Sequence, residues 1–478
     1  MSFVSIEFLI FFIVVLGVYF SLKGTARLAF LMAASYFFYI YWNVSYIFLI
    51  LFTAGIDYFT ALKIDALPLE DRRRRQRWLL LSIVSNMGVL FTFKYFNFFA
   101  DSIYDLLTSL GVDVSPVTLN VLLPVGISFY TFQSLAYTID VYRGNLKAER
   151  SVVRFLTFVA FFPQLVAGPI ERATHLLPQF YVDHRFDYAR TVEGFRYILW
   201  GAFKKLVIAD RLAIYVNAVY NSADDYSGLT LINATVFFAF QIYCDFSGYS
   251  DIAVGAAKIM GFDLMVNFRQ PYLSQSIREF WRRWHISLST WFRDYLYIPL
   301  GGNRKGFGRM LGNLFVVFVI SGLWHGANWT FLIWGALHGG MIVVESIGAR
   351  RSWGKRVPHL ARWAATFVLV CIAWVFFRAN TVEDAFHVLG NILDFSGGAS
   401  GVELPFAGGL LGPSAEFALS WALIAGLMVY DALDSRVGRF NVALHTRLRW
   451  AAYYGLGLGI VFSFIYGLTT QTFIYFQF

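Results

Sequence analysis

Charge is what this sequence has least of. Aspartate, glutamate, lysine and arginine make up 14% of its 478 residues, where an ordinary soluble domain carries ~25%. With 58% of residues hydrophobic and a mean hydropathy of +0.57, a fold surrounded by water is excluded. Cysteine is scarce as well. Cys244 and Cys371 lie in apolar sequence, and without a C-x-x-C or Cys/His cluster neither a disulfide scaffold nor a zinc site is supported. Long polar tracts are missing and no period of about 20–50 residues recurs, which excludes disorder and solenoid repeats. P-loop, G-x-S-x-G and H-E-x-x-H motifs are absent too, and their absence weakens ATPase, serine-hydrolase and metalloprotease readings.

What is abundant is aromatic: 51 Phe, 27 Tyr and 14 Trp suit a lipid-facing perimeter with Trp and Tyr at the two interfaces. The formal charge of +9 reads as a cytoplasmic rim of Lys and Arg, not a nucleic-acid surface. The run Phe8 to Phe20 has no basic residue before it and no cleavage site after it, so it reads as a span and not a signal peptide. Basic groups recur at Lys23 and Arg27, at Arg72 to Arg75 with Arg77, and at Arg143, Lys147, Arg150 and Arg154. Two more lie at Arg350, Arg351, Lys355 and Arg356, and at Arg436, Arg439, Arg447 and Arg449. Between them Asp101 to Thr118, Asn221 to Gly228 and Ala379 to Ser420 are nearly or wholly free of Lys and Arg. This alternation predicts an all-α polytopic membrane protein with its N-terminus outside and about a dozen spans.

Phe155 to Gly168 resists a simple span, being apolar but bracketed by basic residues and ending in L-V-A-G-P-I. It is expected to enter and return on the cytoplasmic side, and irregular backbone at membrane depth must be enclosed by protein. Pro124 to Gln133 likewise reads as a broken or tightly packed helix.

Residues 278–302 place Phe280, Trp284, Leu288, Trp291 and Tyr295 on one helical stripe and Arg278, Arg282, Ser289 and Arg293 on another. Such a basic amphipathic helix is an interfacial anchor, or its arginines are ligands for a phosphorylated substrate. His285 lies inside it. His325 closes the apolar run Leu311 to His325 in S-G-L-W-H-G-A-N-W, and an ionisable residue there is a functional-site hypothesis. The alternative for each histidine is a hydrogen-bonded packing residue. Asp245 and Asp251 stand in the polar island Gln241 to Asp251 and need an Arg, a hydroxyl or a helix N-terminus as partner. A histidine at membrane depth without an adjacent nucleophile suits general-base work on a hydroxyl that attacks a thioester.

These segments, P-V-G-I-S-F-Y-T-F-Q, F-P-Q-L-V-A-G-P-I, Y-C-D-F-S-G-Y-S-D-I-A-V-G, the block from N-F-R-Q-P-Y to Y-I-P-L-G-G-N-R, and G-L-W-H-G-A-N-W, together closely resemble the membrane-bound O-acyltransferase family. The likeness runs to the terminal F-I-Y-F-Q-F and is strongest to bacterial members that O-acetylate alginate, peptidoglycan or cellulose. The resemblance implies one membrane domain over residues 1–478, a helical bundle with re-entrant helices enclosing a funnel or tunnel. Its catalytic core would lie at about 119–348, with peripheral spans in 1–104 and 361–478. It implies His325 as the family's histidine and His285 as the second catalytic position. No bound cofactor or metal is implied; acetyl-CoA is the cytoplasmic donor, its phosphates near Arg282, Arg283 or Arg293. Trp324 and Asn328 would shape the pocket, and Asp245 and Ser289 complete the candidates for substrate or donor binding. The implied partners are an extracytoplasmic polysaccharide, most readily alginate, a periplasmic acetyltransferase of the SGNH-hydrolase type and membrane lipid, but no nucleic acid. The implied location is the bacterial inner membrane, in multi-pass form. The competing class is a polysaccharide or lipid transporter, which broken helices and intramembrane Asp also suit, although no internal repeat pairs the two halves.

Overall fold

The computed structural model describes all residues except 122, 166–167, 352–356, 396–404, 406–410, 438–445, 466–471 and 477–478. Lys355, Arg356, Arg439, the V-A step of the L-V-A-G-P-I segment and much of the long basic-poor loop therefore lie outside the described residues. The chain packs as two compact units. Unit 1 holds Met1–Phe195 and Ile252–Met265, and unit 2 holds Arg196–Asp251 and Val266–Phe478. The expected core at 119–348 draws residues from both.

Helices begin in unit 1 with α1 (Ile6–Ser21), α2 (Gly24–Ile40), α3 (Tyr46–Asp65), α4 (Arg72–Leu90) and α5 (Phe96–Ser109), the last two joined by a π-helical turn at Phe91–Tyr95. They continue with α6 (Ile127–Arg143), α7 (Val152–Ala160), α8 (Phe162–Leu165), α9 (Ala173–Leu176) and α10 (Tyr188–Phe203). Side chains cap several starts: Ser5 accepts from the Phe8 amide, Asp71 from Arg74 and Ser151 from Arg154, each satisfying a donor that the first helical turn leaves unpaired. Arg75, 4% exposed, ties two helix ends together. Its guanidinium donates to the carbonyls of Ile64 in the last turn of α3, of Leu67 just after it, and of Val141 and Tyr142 at the end of α6, all at 2.8–3.0 Å. A cation there also meets the negative ends of both helix dipoles.

The run from Phe155 is interrupted as expected, with α7 ending at Ala160 and α8 starting at Phe162. The Phe158 carbonyl beside this break accepts from the amides of Gln133 and Gln164 at 2.7 and 2.9 Å, so irregular backbone in an apolar setting keeps its hydrogen bonds. Gly126 starts α6 at φ 76°, and a β-carbon there would stand 2.9 Å from the Leu165 carbonyl oxygen. Only glycine meets both conditions.

Unit 2 continues α10 from Arg196 through a π-helical turn at Lys204–Ala209 into α11 (Asp210–Tyr220) and α12 (Gly228–Ile259). There follow α13 (Ile277–Arg283), α14 (Ile286–Phe292), α15 (Phe307–His325), α16 (Trp329–Arg350), α17 (His359–Arg378), α18 (Val382–Asn391), α19 (Pro413–Val437) and α20 (Thr446–Ile465). Residues 278–302 do not form the single amphipathic helix that their periodicity predicts. The helix stops at Arg283, restarts at Ile286 and ends in a π-helical turn at Arg293–Tyr297.

Seven helices among the described residues are long and apolar enough to cross a membrane, the α4–α5 pair counting as one, with shorter apolar helices at Ile6–Ser21, Gly24–Ile40 and Val152–Leu165. The chain is an all-helical, multi-pass membrane protein.

Candidate active site

His325 is the last residue of α15, and the geometry after it explains why the helix stops. Gly326 is extended (φ −157°), and a β-carbon on it would fall 2.1 Å from the Phe331 ring. Two residues on, Asn328 caps α16, its Oδ1 accepting from the Thr330 amide at 2.9 Å. The α15–α16 hairpin closes on glycine. A β-carbon on Gly322 would lie 2.2 Å from the Phe331 carbonyl oxygen, and one on Gly335 would lie 2.4 Å from that of Phe318. His325 is thus held at the end of a hairpin whose backbones nearly touch, 3% exposed.

His285 is positioned by its own backbone. It is one of two non-glycine residues among those described with positive φ, at φ 42° and ψ 55°. A left-handed residue with a side chain costs ~1–2 kcal/mol and persists where its surroundings over-determine it. Those surroundings are the segment from Asn267 to Arg269: the Ile286 amide donates to the Asn267 carbonyl and the Arg269 amide to that of Arg283, both at 2.9 Å. Ser287 Oγ donates to Asn267 Oδ1 at 2.6 Å, and Asn267 Nδ2 donates to Ser250 Oγ of α12 at 3.0 Å. The break in the predicted helix is the device that turns His285 inward to complete burial.

The two imidazoles come together with ring centroids 6.5 Å apart. Trp324 lies 4.9 Å from His325 and 6.2 Å from His285. Trp334 and Phe377 stand at 4.9 and 5.5 Å from His325, and Phe246 at 4.7 Å from His285. Tyr475 faces both, 5.7 Å from His325 and 6.4 Å from His285. The sequence reading assigned no role to Tyr475, Phe246, Trp334 or Phe377. Only the aromatic-rich terminal F-I-Y-F-Q-F carries a hint of Tyr475.

The remaining candidates sit as follows. Asp245 does not touch the histidines; it anchors the segment that does. One carboxylate oxygen pairs with Lys205 Nζ at 2.6 Å, and the other accepts from the Ile474 amide at 2.7 Å, next to Tyr475. Lys205 also pairs with Asp210 at 2.7 Å, and the adjacent Lys204 holds Asp251 and Ser247, each at 2.7 Å. The buried carboxylates find lysines of the π-helical turn, where an Arg, a hydroxyl or a helix N-terminus was the expected partner. Arg283 pairs with Glu279 at 2.7 Å and Arg293 with Asp294 at 2.7 Å, while Arg282 is exposed. Ser289 Oγ reaches the Trp284 carbonyl at 3.4 Å, and Asn328 is occupied as a helix cap. Chemically, the arrangement offers two imidazoles walled by aromatic rings and shielded from water, a setting in which a neutral imidazole acts as proton acceptor for a bound hydroxyl.

Residues 147–380, which contain both histidines, match the model of MBOAT, the membrane-bound O-acyltransferase family. Over 398 residues, 83% of this chain and 75% of the relative, the sequence is 44% identical to the probable alginate O-acetylase AlgI of Pseudomonas aeruginosa. It is 38% identical over 395 residues to the peptidoglycan O-acetyltransferase of Helicobacter pylori, covering 77% and 74% of the two chains. A teichoic acid D-alanyltransferase of Streptococcus thermophilus is 30% identical over 318 residues, 62% of this chain and 76% of that one.

Proposed function

The chain belongs to the membrane-bound O-acyltransferase family and is an O-acyltransferase of the membrane; from that premise we propose that it takes acetyl from acetyl-CoA on the cytoplasmic side and passes it across the membrane for O-acetylation of an extracytoplasmic polysaccharide. Family membership displaces the transporter reading. Similarity to relatives named for alginate and for peptidoglycan supports a polysaccharide acceptor, and the higher identity to the former favours alginate or a similar exopolysaccharide over peptidoglycan or cellulose.

The observation that carries the mechanism is the buried histidine pair, 6.5 Å apart between Trp324 and Tyr475. His325 takes the proton of an acceptor hydroxyl as its oxygen attacks the thioester carbonyl. The new C–O bond forms, the C–S bond breaks, and the imidazolium returns the proton to the departing CoA thiolate. His285 orients the acceptor or the thioester, and the aromatic wall excludes water that would otherwise hydrolyse the donor. Arg282, exposed and without a carboxylate partner among the described residues, is the arginine of the α13–α14 region with its donors most available for the CoA phosphates. The immediate acceptor is a serine of a periplasmic SGNH-hydrolase-type partner, which completes transfer to the polymer.

Replacing His325 by Ala tests the reading in membranes containing the purified protein. CoA release and acetyl transfer are expected to vanish while the variant stays membrane-integrated with an unchanged melting profile. Full activity in His325→Ala would overturn the assignment.

A further inference from the structure

Three helices of unit 2, α10 from Arg196 onward, α19 and α20, leave an apolar groove between them with a volume of about 580 Å³. Its walls are Leu199, Phe203 and Ile208 on one side, with residues of α19 such as Val429 and Leu433 on another. Val429 and Leu433 are 61% and 42% exposed, as expected of side chains that meet hydrocarbon and not protein. From Arg196 to Ile208 the groove follows about 18 Å of helix.

One end is different. Arg196 and Arg449 both line the groove, and neither has a carboxylate partner among the described residues. Arg196 Nε is enclosed in protein and meets no acceptor there. The carboxylates nearest in sequence are engaged elsewhere: Glu193 pairs with Lys258 at 3.0 Å, Asp431 accepts from the Tyr243 hydroxyl, and Asp434 from the Gln270 amide. Tyr453, Tyr430 and Trp200 belong to the same lining, the last two with rings 4.3 Å apart, in the manner of aromatic side chains at headgroup level. Two guanidinium groups at the edge of an apolar groove are costly to dehydrate unless an anion meets them, and a bidentate donor fork fits phosphate. The basic group Arg436 to Arg449 belongs to the face that the charge alternation assigns to the cytoplasm.

We propose that this groove binds an anionic phospholipid of the cytoplasmic leaflet, its headgroup phosphate held by Arg196 and Arg449 and an acyl chain laid along α10, α19 and α20. The site is separate from the histidine pair and stands or falls independently of the acetyl-transfer reading. The test reconstitutes the purified chain in nanodiscs of phosphatidylcholine containing a minor share of phosphatidylglycerol and counts retained lipid by native mass spectrometry. Wild-type protein is expected to retain phosphatidylglycerol over phosphatidylcholine. The double variant R196Q/R449Q is expected to lose that preference by roughly tenfold, and R196K/R449K to keep most of it, since an ammonium still serves a phosphate as a point charge. A β-carbon at Gly455 meets no atom within 4 Å, so Gly455→Leu starts into open space; by filling the groove it is expected to lower retention of either lipid. A melting-temperature gain on adding phosphatidylglycerol, present in wild type and absent in R196Q/R449Q, gives a second reading. Equal retention of the two lipids by wild type, an unchanged preference in R196Q/R449Q, or occupation of the groove by a second copy of the chain or by a peptide would overturn the proposal.

Discussion

His285 shows how a backbone angle places a ring in the proposed active site. At φ 42° the choice of residue is constrained before chemistry enters, because Asn, Asp and His tolerate the left-handed region far better than branched residues do. His285→Asn is therefore expected to fold with nearly unchanged stability. His285→Val should be destabilised by about 2 kcal/mol or more as measured by thermal melting in detergent. If Asn and Val cost the same stability, the backbone argument fails. The imidazole was legible in the sequence as a polar interruption of an aromatic stripe, but the left-handed turn was not. No glycine marks it, and the residues that enforce it, Asn267 to Arg269, act from a separate segment through hydrogen bonds that periodicity does not encode. Tyr475 was hidden for a similar reason: its place beside both histidines is set by Asp245, which is far from it in sequence.

At the level of elements, the helices long enough to cross a bilayer were legible from hydropathy, while their ends and breaks depended on partners. The basic run at Arg72 to Arg75 shows the difference. Counted as charge it marks a cytoplasmic loop, yet Arg75 is buried and donates to four carbonyls at the ends of α3 and α6. Arg75→Ala should strand those carbonyls and lower stability by about 3 kcal/mol or more. Arg75→Lys should recover only part of the loss, because an ammonium cannot span two helix ends as the planar fork does. Melting curves of Arg75→Ala next to Arg74→Ala, whose side chain is 71% exposed, provide the control; equal losses would contradict the capping role. Gly322 and Gly335 make the same point for α15 and α16, since the sequence shows glycines but not that each faces a carbonyl oxygen.

For the molecule as a whole, scarcity of charge correctly assigned the chain to a membrane, and what charge there is serves three separate ends. Some of it forms the basic loops, some caps helices, and some, Lys204 and Lys205 with Asp210, Asp245 and Asp251, is buried in unit 2 where composition alone would place none. Because both histidines are shielded from water, a polymer chain is a poor direct acceptor for them. The purified chain in liposomes is expected to release CoA when offered acetyl-CoA and a small hydroxyl acceptor, but to leave long polysaccharide unmodified until the proposed periplasmic partner is added; polymer acetylation by the chain alone would remove the need for a partner. The tether from Asp245 to Ile474 also has a consequence in time. Ile474 lies 229 residues after Asp245, so both histidines have already been synthesised when Tyr475, the ring that faces them from that segment, is added.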